Sequence, residues 1–508
     1  MFFKPSGIDF SPCNEIKDLR SEFALERFVR SHQHRWDRGV PPHLLYREKR
    51  VKLRKSALAA AALAAMLGLT AAVPASAGVL YFDFNKNGVG STPAIASLFL
   101  FGASGQTATV SNLAGFSQNV TFGANGFSSI AIPNTYQQAG TGIVNTGFTV
   151  TSSDAIAGYF INRAAFTTDM TYLLDGSALS TSYVVASQGA GFGEGSQVAV
   201  HATVDNTHVT FTPKGGAAIN VTLNAGQTYK YAGGGTDLTG SFVSADKAVA
   251  VFSGHECAQV PNGVVACDTL LEQAIPTDKL SKSYLITATK GAESSSTKSD
   301  LVRVVATVAN TEVKVNGVVV ATLAAGGVYE FSLAEKTGAQ IEATQPVAVA
   351  QYLKGVGSGS ATDPAMSYVP GSDTWLKEYR LATPSGASAF DVNYAALVIE
   401  TADLASLELD GVAVNTAGFS AIGSTGFSRG IIDLPLGLFD LTANGEFLVM
   451  LGGGSQADSY LTYGGSTFAP GISPPPPPPP GVPEPASLAL VGTALAGLAL
   501  ARRKRKTA

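Results

Sequence analysis

The chain repeats itself at a period near one hundred residues, and the repeated pieces read as β-strands. The run Ala248-Val249-Ala250-Val251-Phe252 recurs as Val347-Ala348-Val349-Ala350-Gln351-Tyr352, with a weaker copy at Ala155-Ile156-Ala157-Gly158-Tyr159-Phe160. After each copy comes an acidic segment: Thr168-Asp169-Met170, Cys267-Asp268-Thr269 and Thr362-Asp363-Pro364. Fourteen to sixteen residues later a strand opens with tyrosine, at Tyr183, Tyr284 and Tyr379, and Tyr81 reads as the same strand in a first copy. The four tyrosines are 102, 101 and 95 residues apart. A period of that length implies that one supersecondary unit is built several times and stacked on itself.

Within a unit, polar and apolar residues alternate, as in Gln197–Val204, Thr311–Val315 and Ser406–Leu409, and the runs end at turn signals such as Asp205-Asn206, Asn316-Gly317 and Asp410-Gly411. That is the pattern of strands and tight reversals. No long helical period occurs between Gly78 and Gly471. The expectation is an all-β fold of about four β-sandwich-like units, near 78–180, 181–281, 282–376 and 377–470. A propeller-like ring is the alternative, because sequence does not say which strands pair.

The two ends of the chain are of another kind. Residues 49–55 are basic, 57–73 are apolar, and Ala75-Ser76-Ala77 precedes Gly78. This reads as a secretory signal peptide over 51–77, cleaved between Ala77 and Gly78. Residues 1–50 then lie ahead of the export signal, as a mis-assigned start or a cytoplasmic extension. At the other end, seven prolines (Pro474–Pro480) form a polyproline II spacer of about 22 Å within 471–481. Then come Val482-Pro483-Glu484-Pro485, an apolar stretch to Ala501, and Arg502-Arg503-Lys504-Arg505-Lys506. As a helix, sixteen small or apolar residues span about 24 Å, a short membrane segment whose basic end stays on the cytoplasmic side.

That order of elements over 482–508 resembles a PEP-CTERM sorting signal. The resemblance implies an exosortase-type processing enzyme as partner, transient anchoring in the inner membrane of a Gram-negative bacterium through the C-terminal helix, and delivery to the cell surface or extracellular matrix. Between Gly78 and Ala501 there are 16 Lys/Arg against 31 Asp/Glu, a formal charge of −15 that the whole-chain value of −4 hides. A body so acidic excludes nucleic acid as a favoured partner.

Several of the words quoted above, with Asp205-Asn206-Thr207, Asp237-Leu238-Thr239-Gly240, Ser253-Gly254-His255-Glu256-Cys257, Cys267–Gln273 and Asp363-Pro364-Ala365-Met366, make the stretch from Tyr81 to about Gly465 resemble the N-terminal domain family of IgGFc-binding proteins. That family implies an extracellular, adhesive or matrix role, with polysaccharide or surface proteins as partners, and not antibody binding by this copy.

Candidate chemistry is sparse. The exported body has two cysteines, Cys257 and Cys267, whose loop carries Pro261 and Asn262-Gly263; a local disulfide is expected, and a metal set with His255, Glu256 and Asp268 is the alternative. Its three histidines are His201, His208 and His255, the first two flanking the Asp205-Asn206 turn. The repeated Asp169, Asp268 and Asp363 are turn caps or ligand loops, Ca²⁺ being the ion that suits them. Trp375 is the one tryptophan of the exported body, read as packing or as a sugar platform. No nucleophile elbow or phosphate loop is present. The leading expectation is a non-catalytic, exported adhesion or biofilm protein without a cofactor; the alternative is a secreted carbohydrate-active hydrolase, which needs only two facing carboxylates.

Overall fold

In the computed structural model, residues 78–88, 95–264, 266–355 and 363–472 are described. The signal peptide through Ala77, the polyproline run and the sorting residues Val482, Pro483, Glu484 and Pro485 lie outside them. No helix among the described residues is long and apolar enough to cross a membrane.

Four units follow one another. The first holds β1 (Val79–Phe82), β2 (Ile95–Phe101), β3 (Thr107–Asn112), β4 (Ser117–Thr121), β5 (Phe127–Ile132), β6 (Gly142–Val144), β7 (Phe148–Ser152), β8 (Ala157–Ala164) and β9 (Thr167–Tyr172). The second holds β10 (Ser180–Val184), β11 (Gly191–Ala202), β12 (Thr207–Thr212), β13 (Ile219–Leu223), β14 (Thr228–Ala232), β15 (Phe242–Ala258) and β16 (Asp268–Gln273). The third holds β17 (Ser283–Thr287), β18 (Ser299–Ala306), β19 (Thr311–Val315), β20 (Val318–Leu323), β21 (Val328–Ala334), β22 (Gly338–Ala343), β23 (Val347–Leu353) and β24 (Ala365–Tyr368). The fourth holds β25 (Leu376–Ala382), β26 (Val392–Glu400), β27 (Glu408–Leu409), β28 (Val412–Ala413), β29 (Ser420–Ala421), β30 (Phe427–Asp433), β31 (Leu438–Ser455) and β32 (Asp458–Tyr463).

The pairing is the same in each. The third unit has one sheet in the order β17-β22-β19-β20 and a second in the order β21-β18-β23-β24; the first unit repeats this as β1-β7-β3-β4 and β5-β2-β8-β9. In the second and fourth units one long strand serves both sheets. β15 pairs with β10 and β12 through its first residues and with β11 and β16 through Val249–Ala258, and β31 divides likewise between β25 and β27 at one end and β26 and β32 at the other. Bent strands that pass between sheets make the corners of orthogonally packed sandwiches. The turn signals act locally: Asn316-Gly317 and Asp410-Gly411 both have positive φ, the two-residue reversal that keeps hairpin strands in twist register.

The corner is fastened by the repeated tyrosines. The Tyr183 hydroxyl accepts the Ser180 N–H at 3.0 Å and donates to the Val249 carbonyl at 2.6 Å; Tyr284 does the same with Ser281 and Val347, at 3.0 and 2.6 Å. Tyr379 accepts from Leu376 and donates to the Phe447 carbonyl. Tyr81 does not belong to this set. Leu80 opposes Val150 as Tyr183 opposes Val243, so the first unit carries leucine at the corner, and Tyr81, one residue on, faces the other side against His201.

The units close into a ring, so the two architectures anticipated from sequence coexist: sandwich-like units arranged as in a propeller. The last strand of each unit is the inner edge of its second sheet. β9 packs against β16 and β32, and β24 against β16 and β32. Every residue of β9, β16, β24 and β32 is buried. The seam between the fourth and first units is held by Arg163–Asp458 at 3.2 Å and by the Tyr172 hydroxyl donating to the Ala469 carbonyl at 3.0 Å.

Candidate functional site: the polar axis of the ring

Four edge strands facing one another across an axis cannot all pair as a sheet, so their inward N–H groups need other acceptors. Side chains supply them. The Asp169 carboxylate accepts one N–H from each unit: Met170 and Leu461 on Oδ1 at 3.0 and 3.2 Å, Leu271 and Met366 on Oδ2, both at 3.0 Å. Aligned through their pairing with β8, β15, β23 and β31, these four donors occupy the same position of the repeat. Asp169 therefore sits where the four units meet. Burial pushes its carboxyl well above the ordinary range and the four N–H bonds oppose this. A proton on either oxygen would displace a donor, so the ionised form satisfies the geometry best.

Two further layers flank it. One position carries Thr171, Glu272, Ser367 and Thr462; the Ser367 and Thr462 hydroxyls each donate to Glu272 Oε1 at 3.2 Å. Burial, then the neighbouring Asp169, pushes the Glu272 carboxyl well up, against the hydroxyl hydrogen bonds it accepts. The other layer carries Thr167, Asp268, Asp363 and Asp458. Asp268 is fully buried, and Asp268 Oδ2, Asp363 Oδ1 and Asp458 Oδ1 have no hydrogen-bond partner. Burial raises all three, with repulsion from the neighbouring acids added for Asp268 and Asp363; Asp363 reaches about 7, and Asp458 about 6 against the opposing Thr168 hydrogen bond and Arg163 charge.

The acids anticipated as loop ligands thus need two corrections. Asp169 and Asp268 lie within strands and Asp363 two residues before one, all buried rather than presented to solvent. Asp169 is also two residues out of register: the partner of Asp268 and Asp363 in the first unit is Thr167, and the fourth unit supplies Asp458. The 95-residue step from Asp268 to Asp363 repeats from Asp363 to Asp458, which was the available signal. Glu272 had none, since its equivalents are hydroxyl residues. No group of three or more His, Cys, Asp or Glu side chains is placed to hold a metal ion among the described residues.

Other singled-out residues take structural places. Cys257, near the end of β15, and Cys267, just before β16, are disulfide-bonded, so they are not metal ligands. His255 is buried, takes the Cys257 N–H on Nδ1 at 3.0 Å and has its pKa lowered to about 4 by burial. His201 is buried 3.5 Å from Asp83, whereas His208 is exposed and bonds Thr222; the two do not meet. Trp375 is 2 % exposed and edge-on to Phe427, so its ring packs in the interior. Gly78 is buried, its N–H bonded to the Asp154 carbonyl.

Comparison with known proteins agrees with this description. Residues 481–506 match the PEP-CTERM protein-sorting motif, which marks an exported protein sorted to the cell surface through exosortase processing. The human IgGFc-binding protein is 27 % identical over 334 residues, 62 % of this chain, but the match spans about 6 % of that much longer relative. A solved tetra-tandem repeat from the extending region of a large adhesion protein covers 77 % of this chain and 99 % of its own at 15 % identity and a TM-score of 0.09, a likeness too low to carry an argument. Residues 169–453, more than half of the chain, match the family model described as IgGFc binding protein, and the chain belongs to that family.

Proposed function

We propose that this protein is a non-catalytic surface or matrix module that mediates adhesion or biofilm cohesion, displayed by one end of its ring. One observation carries the reading. Gly78 and Gly471 both lie against the Ile156–Ala157 corner, Gly78 on Ile156 and Gly471 beside Ala157 and Tyr172. That corner marks the end of the axis where β9 stops. Both ends of the folded body therefore leave from one side, and the proline spacer and sorting tail follow from there. The opposite end is where β8, β15, β23 and β31 end, and it points away from the envelope.

That far end exposes Phe166, at 69 %, on the two-residue turn between β8 and β9 with a φ of 58°. Phe192, at 52 %, sits beside the disulfide, opposite Cys257. Large apolar side chains held out on a rigid face suit contact with polysaccharide rings or another protein surface. The carboxylates that meet on the axis, Asp169, Glu272, Asp268, Asp363 and Asp458, are buried, which favours adhesion over the glycosidase reading for that site. A transient inner-membrane stage in a Gram-negative envelope is part of the same proposal, supported by the match of the tail to the sorting motif.

Deleting the gene and measuring cell aggregation and matrix composition tests the role. Restoring a Phe166→Ala/Phe192→Ala double variant tests the face. Aggregation and matrix unchanged on deletion would sink the proposal; a double variant that aggregates cells as the natural chain does would sink the displayed face alone.

A further inference from the structure

The polar layer between the first and second units holds an arrangement the axis does not explain. Lys230 on β14 has a side chain with no solvent exposure, and its Nζ lies 2.5 Å from Oε1 of Gln197 on the adjoining β11. Gln197 is itself 1 % exposed. A C=O bond is about 1.23 Å, so the amide carbon lies within about 3.7 Å of the amine, against the roughly 3–3.5 Å of a near-attack pair. The amide is clamped at both ends by Lys86, whose N–H donates to Oε1 at 3.1 Å and whose carbonyl accepts from Nε2 at 2.8 Å. A carboxylate is at hand: Glu194 Oε2 lies 3.4 Å from Nζ, and its other oxygen is fixed by the Gly140 N–H at 2.7 Å.

We propose that Lys230 and Gln197 join in an intramolecular amide, a covalent staple between β11 and β14 formed after folding. The neutral Lys230 amine attacks Gln197 Cδ. The Lys86 N–H faces the oxygen on which negative charge develops. Glu194 takes a proton from the attacking nitrogen and returns it to Nε2, which leaves as ammonia. One C–N bond forms, one breaks, and no oxidant or cofactor is consumed. Burial lowers the Lys230 pKa to about 8 against the pull of Glu194, so a usable share of the amine is neutral at ordinary pH. Enclosure keeps water from competing for the amide carbon. A surface protein gains from such a bond a resistance to unfolding and proteolysis that hydrogen bonds do not confer.

Intact-mass spectrometry of the purified, disulfide-bonded protein reads the result directly. The natural chain should be lighter by one molecule of ammonia than its sequence with one disulfide requires, and proteolysis should release one branched peptide joining the segments of Gln197 and Lys230. Lys230→Arg, which keeps the charge without a transferable amine, and Gln197→Ala should both show the full sequence mass. Glu194→Gln should accumulate the uncrosslinked form. A natural chain of full sequence mass, with no branched peptide, overturns the proposal, and so does an ammonia deficit that persists in Lys230→Arg.

Discussion

The acceptor at the meeting point of four units makes Asp169→Asn a severe test of the ring. Asparagine matches aspartate in shape and volume, so packing is unchanged and only the hydrogen-bond inventory differs. The carboxylate accepts four backbone N–H groups, two on each oxygen. An asparagine turned either way keeps two of them and aims an NH₂ group at the other two. Two buried N–H groups lose their acceptor, at about 1–3 kcal/mol each, so the expected loss is about 2–6 kcal/mol. Asp169→Leu orphans all four, for roughly 4–12 kcal/mol, comparable with the whole stability of an ordinary domain. The assay is urea unfolding followed by tyrosine fluorescence, with limited proteolysis at the seam near Ala469 as a second readout. Asn should shift the midpoint strongly downward, and Leu should yield no folded ring. If Asp169→Asn unfolds within 1 kcal/mol of the natural chain, the four bonds do not close the ring and the axial reading is wrong.

Tyr284→Phe leaves the Ser281 N–H and Val347 carbonyl without their hydroxyl partner and should cost about 1–3 kcal/mol, whereas Tyr81→Phe should be near neutral; equal losses in denaturant melts would refute the corner. Asp363 has a folded pKa raised to about 7, so the folded state holds its proton longer than the unfolded one; its contribution is complete below about pH 4 and is lost as pH rises through 7, about 4 kcal/mol in all. The buried neutral His255 works in the opposite sense at acid pH, so the measurement is the difference between the natural chain and Asp363→Asn, which should flatten the decline between about pH 4 and 7; parallel curves would count against the acid layer. Removing both cysteines opens a short loop and should cost about 3 kcal/mol by loop-closure entropy, read as a lower unfolding midpoint that reductant no longer changes.

Much of this fold was legible because strand physics is local. Alternation marked β11, β19 and β27, Asn316-Gly317 and Asp410-Gly411 marked the hairpins that follow the last two, and the copies of the apolar run marked β8, β15 and β23. The corner tyrosines were visible as a spacing, although what they bond was not, because Val249 and Val347 accept through backbone carbonyls that leave no trace in sequence. The first unit was misaligned by one residue for a related reason. Leu80 holds the corner place without a hydroxyl, and a tyrosine beside it mimicked the repeat.

The misplacement of Asp169 has a deeper cause, which lies in the symmetry itself. A ring of four like units has four equivalent positions at every height except on the axis, where there is room for one side chain. Four aspartates at the height of Asp169 would bring like charges together without solvent, so the equivalents are Leu270, Ala365 and Tyr460. The residue that closes the ring must therefore break the repeat. A search for recurring acids finds Asp268, Asp363 and, at the same step, Asp458, whose mutual repulsion the fold tolerates by raising their pKa values, and it passes over the unrepeated Glu272. In this closed array the residue that gathers one N–H from every unit is one that does not repeat, and it comes into view only once those four N–H groups are seen to point at one carboxylate.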